Sequence, residues 1–135
     1  MSDILKIQDP VFGNMEYIHY WRKNEEINFW NRDIQVIIAA KTYRQRPITK
    51  EQRTSYQYFE KNRKMIEKRS KAMLEKYMMD NDVILQEENI PDLETVLFTK
   101  TGEIILLFTC KWEPEHGFAI QVYPKYKMGT QDLFL

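Results

Sequence analysis

The sequence predicts an α+β fold. The expected architecture is a single antiparallel β-sheet of about six to seven strands, with one long helix (about residues 49–79) inserted between an N-terminal meander and C-terminal hairpins. Three observations predict it. Alternating apolar and polar side chains recur in the first third and again in the last third. The stretch from Ile48 to Ile90 lacks Gly and Pro and repeats apolar residues at helical spacing. The polar breaks among the N-terminal runs are short, which favours antiparallel neighbours, because a parallel pair needs a crossover of a dozen or more residues.

The elements follow in order. Leu5 and Ile7 alternate with Ile4, Lys6 and Gln8 until Asp9-Pro10 interrupts, since Pro lacks a backbone donor. Gly13-Asn14 can turn the chain. Met15, Tyr17, His19 and Trp21 then share one strand face, and Glu16, Ile18 and Tyr20 the other. Lys23-Asn24 is expected to be a turn, and Asn31-Arg32-Asp33 a polar break. Gln35–Ala40 is apolar on both faces at its end and is expected to be a central strand. Thr49 followed by Gln52 fits a capping box and starts the helix. Tyr56, Phe59, Arg63, Ile66, Ser70, Met73 and Tyr77 form its stripe. A straight helix of this length would reach ~45 Å, longer than a small domain is wide, so either a kink or an overhanging end is expected.

Residues 80–92 are acidic and irregular, with Val83-Ile84-Leu85 as a short apolar anchor. Val96-Leu97-Phe98 and Ile104–Phe108 flank Lys100-Thr101-Gly102 as a hairpin, and Ile104–Phe108 is expected to be a second central strand. Glu113–Gly117 reads as a loop, and Phe118, Ile120 and Val122 as the last strand.

A length of 135 residues suits a single domain spanning 1–135, and 43% hydrophobic content can build a core without staples. The one cysteine, Cys110, cannot form an internal disulfide. No segment reads as a signal peptide or membrane span, so the expected compartment is cytoplasmic, with no membrane partner. Net charge is zero but unevenly spread. Residues 34–76 hold 12 Lys/Arg against 4 Asp/Glu, and residues 77–115 hold 2 Lys against 9 Asp/Glu.

Candidate chemistry is sparse. The two histidines, His19 and His116, lack metal-ligand spacing, and the four glycines form no phosphate loop. No catalytic residue, metal ligand or cofactor is expected. Cys110, His116 and Glu113 or Glu115 lie close enough in sequence for a Cys/His hydrolase reading, but Cys110 alternates in phase with Phe108 and Trp112, as a packing residue would. Arg53, Lys61, Lys64, Lys68, Arg69 and Lys71, with Lys41, Arg44 and Arg46, could neutralise phosphates of a nucleic acid. Interspersed Glu60, Glu67 and Glu75 equally suit a solvated helix face. Tyr17, Tyr20, Trp21, Phe29 and Trp30 are a dense aromatic group, and such residues serve both cores and interfaces.

Three segments occur in order: Asp9-Pro10-Val11-Phe12-Gly13, Trp112-Glu113-Pro114-Glu115-His116-Gly117 and Gly129-Thr130-Gln131-Asp132-Leu133-Phe134-Leu135. With the long helix between them, they resemble an uncharacterised bacterial family of small domains of unknown function, loosely similar to immunity proteins of toxin systems. The resemblance implies no catalytic residues. The structural reading of its carriers is turn-setting Pro and Gly, packing aromatics and loop-closing polar groups. The expected function is therefore a non-enzymatic protein-binding domain, immunity-like in acting by occlusion. Tyr20, Trp21 and Trp30 are its candidate anchors, and Lys61, Lys64 and Lys68 its candidate steering charges. The alternative is a nucleic-acid-binding module using the basic helix over residues 50–76.

Overall fold

A computed structural model describes residues 4–135. It is an α+β fold with one eight-stranded sheet whose strands lie in sequence order. The strands are β1 (Lys6–Asp9), β2 (Gly13–Ile18), β3 (Tyr20–Phe29), β4 (Arg32–Ala40), β5 (Asp92–Phe98), β6 (Ile104–Thr109), β7 (Phe118–Tyr123) and β8 (Lys127–Gly129). Between β4 and β5 run α1 (Lys50–Lys61) and α2 (Arg63–Asp80).

Two corrections concern the sheet. It has eight strands rather than six to seven, because the three-residue β8 is too short to show an alternation. It is also not wholly antiparallel: β4 and β5 pair in parallel, from Ile37 opposite Thr95 to Ala40 opposite Phe98. The two helices form the crossover that such a pair requires.

Local chemistry explains the turns. The expected turn at Lys23-Asn24 is instead the interior of β3, which pairs with β4 from Trp21↔Ala40 to Phe29↔Arg32. Lys23 tolerates this position by reaching out with its ammonium, which donates to the Phe12 carbonyl at 2.6 Å and to Tyr56 Oη at 3.0 Å. The chain reverses at Trp30-Asn31, both with positive φ (50° and 63°), as a tight hairpin with right-handed strand twist demands. A further reversal falls at His19 (φ 68°), so the expected single strand through Met15–Trp21 is two strands. Tyr17 lies opposite Trp21, so both remain on one face with Met15.

The single expected helix is two. At Asn62 the backbone leaves helical geometry (φ −112°, ψ 21°), and its Nδ2 donates to the Tyr58 carbonyl, which also accepts the Asn62 backbone N–H. A side chain competing for a backbone acceptor bends a helix at that point. Gln52, Ser55, Tyr56 and Phe59 of α1 and Ile66, Ser70, Leu74 and Met78 of α2 are buried. The apolar ones, Tyr56, Phe59, Ile66, Leu74 and Met78, pack with Val36, Ile38, Val96, Phe98, Leu106, Phe118 and Ile120 to form the main core. Met73 and Tyr77 of the expected stripe sit at its margin, because α2 turns Leu74 and Met78 inward instead. A smaller cluster of Ala39, Leu97, Ile105 and Ala119 lies on the opposite face, with Tyr20, Ile37, Leu107 and Phe134 at its border. Between α2 and β5, Val83 packs on the main core while Ile84 and Leu85 are exposed.

Candidate functional site

The parallel join between β4 and β5 determines where a cleft can form. Both strands end at the same edge of the sheet, at Ala40 and Phe98, and α1 begins beside them. Open α/β sheets bind ligands at the carboxyl ends of parallel strands for this reason: side chains and helix N-termini converge there. In this chain the place is a cavity of about 850 Å³ lined by Thr42, Tyr43, Arg44, Arg46, Pro47, Thr49 and Lys100.

Neighbouring elements fix its walls. The β4–α1 loop is held from three sides. Tyr17 Oη donates to the Thr42 carbonyl at 2.9 Å, Trp21 Nε1 to the Arg46 carbonyl at 2.8 Å, and Gln52 Nε2 to the Lys41 and Phe98 carbonyls at 3.0 Å. Within the loop Arg44 (φ 54°) and Gln45 (φ 59°) are both left-handed, a conformation costing ~1–2 kcal/mol per residue. Non-glycine residues keep such conformations where surrounding contacts over-determine them.

The other wall is the β5–β6 turn. Thr49 Oγ1 accepts the Gln52 backbone N–H, donates to the Lys100 carbonyl at 2.8 Å, and thereby ties this turn to the start of α1. Gly102 (φ 98°) makes the close approach possible, since a Cβ there would stand 3.3 Å from the Glu51 carbonyl oxygen.

The cleft is cationic. Arg44, Arg46 and Lys100 are exposed, and among the described residues none has a carboxylate within 4.0 Å. Tyr43 is 59% exposed at the rim. Lys41 Nζ lies 5.8 Å from the ring centres of both Tyr43 and Tyr20, so Tyr20 borders this region from the opposite sheet face. Thr42 is only 4% exposed, and its Oγ1 is buried with no hydrogen-bond partner among the described residues.

The sequence-derived candidates divide accordingly. Trp21 is buried, 2% exposed, and supports the loop from beneath instead of offering an exposed indole. Trp30 is half-buried at a different place. Its ring stacks on Phe108 at 5.0 Å, its backbone N–H donates to Glu67 Oε1, and its indole donates to the Glu67 carbonyl, so it fastens α2 to the sheet. Lys61, Lys64 and Lys68 are exposed on the helices and do not line the cleft. Arg44 and Arg46 belong to the basic set already legible in sequence. Thr42, Tyr43 and Lys100 were not legible, because the last comes from a turn 51 residues beyond Thr49. The available signal was a Lys/Arg-rich stretch directly before a capping box.

The cysteine region has different chemistry. Cys110 is buried, and burial pushes its thiol up to about 11, so the thiolate a nucleophile needs is scarcely populated at neutral pH. Three carriers of the resemblance, Trp112, His116 and Gln131, make bonds that hold loops in place. Gln131 Nε2 donates to the Phe108 carbonyl, the Gln131 backbone N–H donates to the His116 carbonyl, and Trp112 Nε1 donates to the Asn89 carbonyl. Among the described residues no three His, Cys, Asp or Glu side chains are grouped to hold a metal, and no helix is long and apolar enough to cross a membrane.

Neither a curated protein nor a solved structure matches the chain. A family model does match, over residues 11–135, and the chain belongs to that family, described as a domain of unknown function, DUF6985.

Proposed function

We propose that this is a non-enzymatic protein-binding domain that captures an acidic segment of a partner protein in the cleft between the β4–α1 loop and the β5–β6 turn. The observation that carries the reading is a braced loop presenting Arg44 and Arg46, with Lys100 opposite, none paired with a carboxylate of the described chain. Unpaired cations steer an acidic partner into encounter, and exposed Tyr43 supplies an aromatic anchor beside them. Bracing by Tyr17, Trp21 and Gln52 lowers the ordering cost of binding. The mode of action is occlusion of the partner's working surface, immunity-like, in the bacterial cytoplasm.

The test is capture from the source lysate at low and high salt, with wild type and Arg44→Glu/Arg46→Glu in parallel. An acidic protein retained at both salts by wild type and lost with the loop variant supports the reading. A protein retained equally by both overturns the assignment to this cleft. The competing reading, nucleic-acid binding through exposed Lys61, Lys64 and Lys68, predicts retention that falls steeply with salt and with reversal of those three lysines.

A further inference from the structure

Ile84 and Leu85, 69% and 44% exposed, have no place in either apolar cluster of their own chain. They stand on a folded turn between α2 and β5. The Ile84 carbonyl accepts the Gln86 backbone N–H and Asn89 Nδ2, both at 3.0 Å, and the Asn89 carbonyl accepts Trp112 Nε1. Apolar residues scattered singly over a surface are ordinary, but this adjacent pair is held out as a knob by a braced turn. Glu87 and Glu88 follow it, both exposed. Asp92, Glu94 and Glu115, also exposed, share a cavity at the same end of the molecule. Arg32, Lys71 and Lys111 are the opposing charges there. Arg32 approaches Glu87 and Asp92 at 3.7 and 3.3 Å, yet leaves both carboxylates mostly in solvent.

This acidic end lies opposite the cationic cleft. β5 begins at Asp92 and ends at Phe98 beside the cleft, so about 20 Å of strand separates the two. One chain therefore cannot seat its own knob in its own cleft. The two surfaces nonetheless match. The cleft offers Arg44, Arg46 and Lys100 beside an apolar wall of Tyr43 and Pro47, while Glu51 of α1 lines a different cavity. The knob offers Glu87 and Glu88 beside Ile84 and Leu85. We infer that a second copy of this chain occupies the cleft, inserting its Ile84–Glu88 turn between the β4–α1 loop and the β5–β6 turn. Carboxylates meet the three cations, and the apolar pair meets Tyr43 and Pro47. Two copies can satisfy each other reciprocally, or each can pass its knob to the next. Both surfaces are braced before they meet, which lowers the ordering cost. The contact is small and partly ionic, which places it among weak, reversible interfaces. The inference rests on the cleft being a surface for acidic segments, and it names one such segment.

The experiment is sedimentation equilibrium of the whole chain from about 10 μM to about 1 mM, the range of weak association. Expected is a weight-average mass that climbs above the monomer at low salt and falls back as salt is raised. Two variants divide the contact: Arg44→Glu/Arg46→Glu in the cleft and Glu87→Lys/Glu88→Lys on the knob. All four residues are exposed, and unfolding midpoints equal to wild type separate a lost contact from a lost fold. Each variant alone should associate at least about tenfold more weakly than wild type. An equimolar mixture of the two should associate again, because one supplies an intact knob and the other an intact cleft. A mass fixed at the monomer up to about 1 mM overturns the inference. So does association that either variant retains, or that mixing fails to restore. Lysate capture decides the partner protein independently. An acidic protein lost with Arg44→Glu/Arg46→Glu stands even if the chain never binds itself. Self-association through this cleft without any such capture removes the partner protein and keeps the second copy.

Discussion

Asp9 holds more of the fold together than its place in a four-residue edge strand suggests. Its side chain is buried, with Oδ1 accepting from Arg53 Nε and a second guanidinium nitrogen at 2.9 and 2.7 Å, while Oδ2 accepts the backbone N–H groups of Val11 and Phe12. One carboxylate therefore shapes the β1–β2 turn and ties it to α1. Burial alone would push this carboxyl up, but Arg53 and the two amides outweigh burial and hold it below its ordinary range. A carboxyl depressed in the folded state contributes stability above its unfolded pKa, and that stability is lost as pH falls through the folded value. Asp9→Asn should cost about 2 kcal/mol in urea unfolding at neutral pH. The difference from wild type should shrink as the medium is acidified below the ordinary carboxylate range. A gap independent of pH would mean that shape, and not charge, is what Asp9 contributes. The packing of Phe12 on Tyr56, stacked at 4.4 Å, continues the same tether into the core.

At the scale of elements, the start of the helix was legible and its middle was only half so. Thr49 and Gln52 form the capping box their spacing predicts, with Thr49 N–H donating to Gln52 Oε1 and Gln52 N–H to Thr49 Oγ1. The same threonine also carries the β5–β6 turn, which no local pattern announces. Thr49→Ala should therefore cost about 1 kcal/mol or somewhat more, above an ordinary cap because two partners are released together. Thr49→Ser should retain most of that stability. Amide exchange at Gly102, whose N–H donates to Thr99, should quicken in the alanine variant and stay slow in the serine variant. An unchanged Gly102 would sever the cap from the turn. Length alone left a kink and an overhanging end as alternatives, and the bend is fixed locally, where Asn62 competes for the Tyr58 carbonyl. The central positions of Gln35–Ala40 and Ile104–Phe108 were legible because strands covered on both faces lose their polar alternation. The reversal at His19 was not, since Met15, Tyr17 and Trp21 keep one face whether the chain runs straight or folds back.

For the whole molecule, the parallel join of β4 and β5 is the organising feature. The sequence contained its sign, a long helical stretch between two apolar strands, but the spacing argument covered only short breaks. Because the join is parallel, both strands deliver their ends to the cleft, and both α-helices cover one face of the sheet. The opposite face is closed differently. Its cluster of Ala39, Leu97, Ile105 and Ala119 is bordered by Phe134, from the segment that follows β8. That segment is fastened where Gln131 Nε2 reaches the Phe108 carbonyl beside Gly117. Gly117 has φ +63°, and a Cβ there would stand 2.6 Å from Gln131 Nε2 and 2.9 Å from the Phe108 carbonyl oxygen. Gly117→Ala should thus destabilise the fold by about 1–3 kcal/mol and raise binding of an apolar dye as Phe134 lifts from the cluster. Adding Gln131→Ala removes the clash with a movable side chain but leaves the backbone carbonyl and the positive φ. The double variant should stay as unstable as the single one. Full recovery in the double variant would show that Gln131 alone imposes the glycine. Its absence would assign that requirement to the turn between β6 and β7, and make Gln131 the latch that uses it.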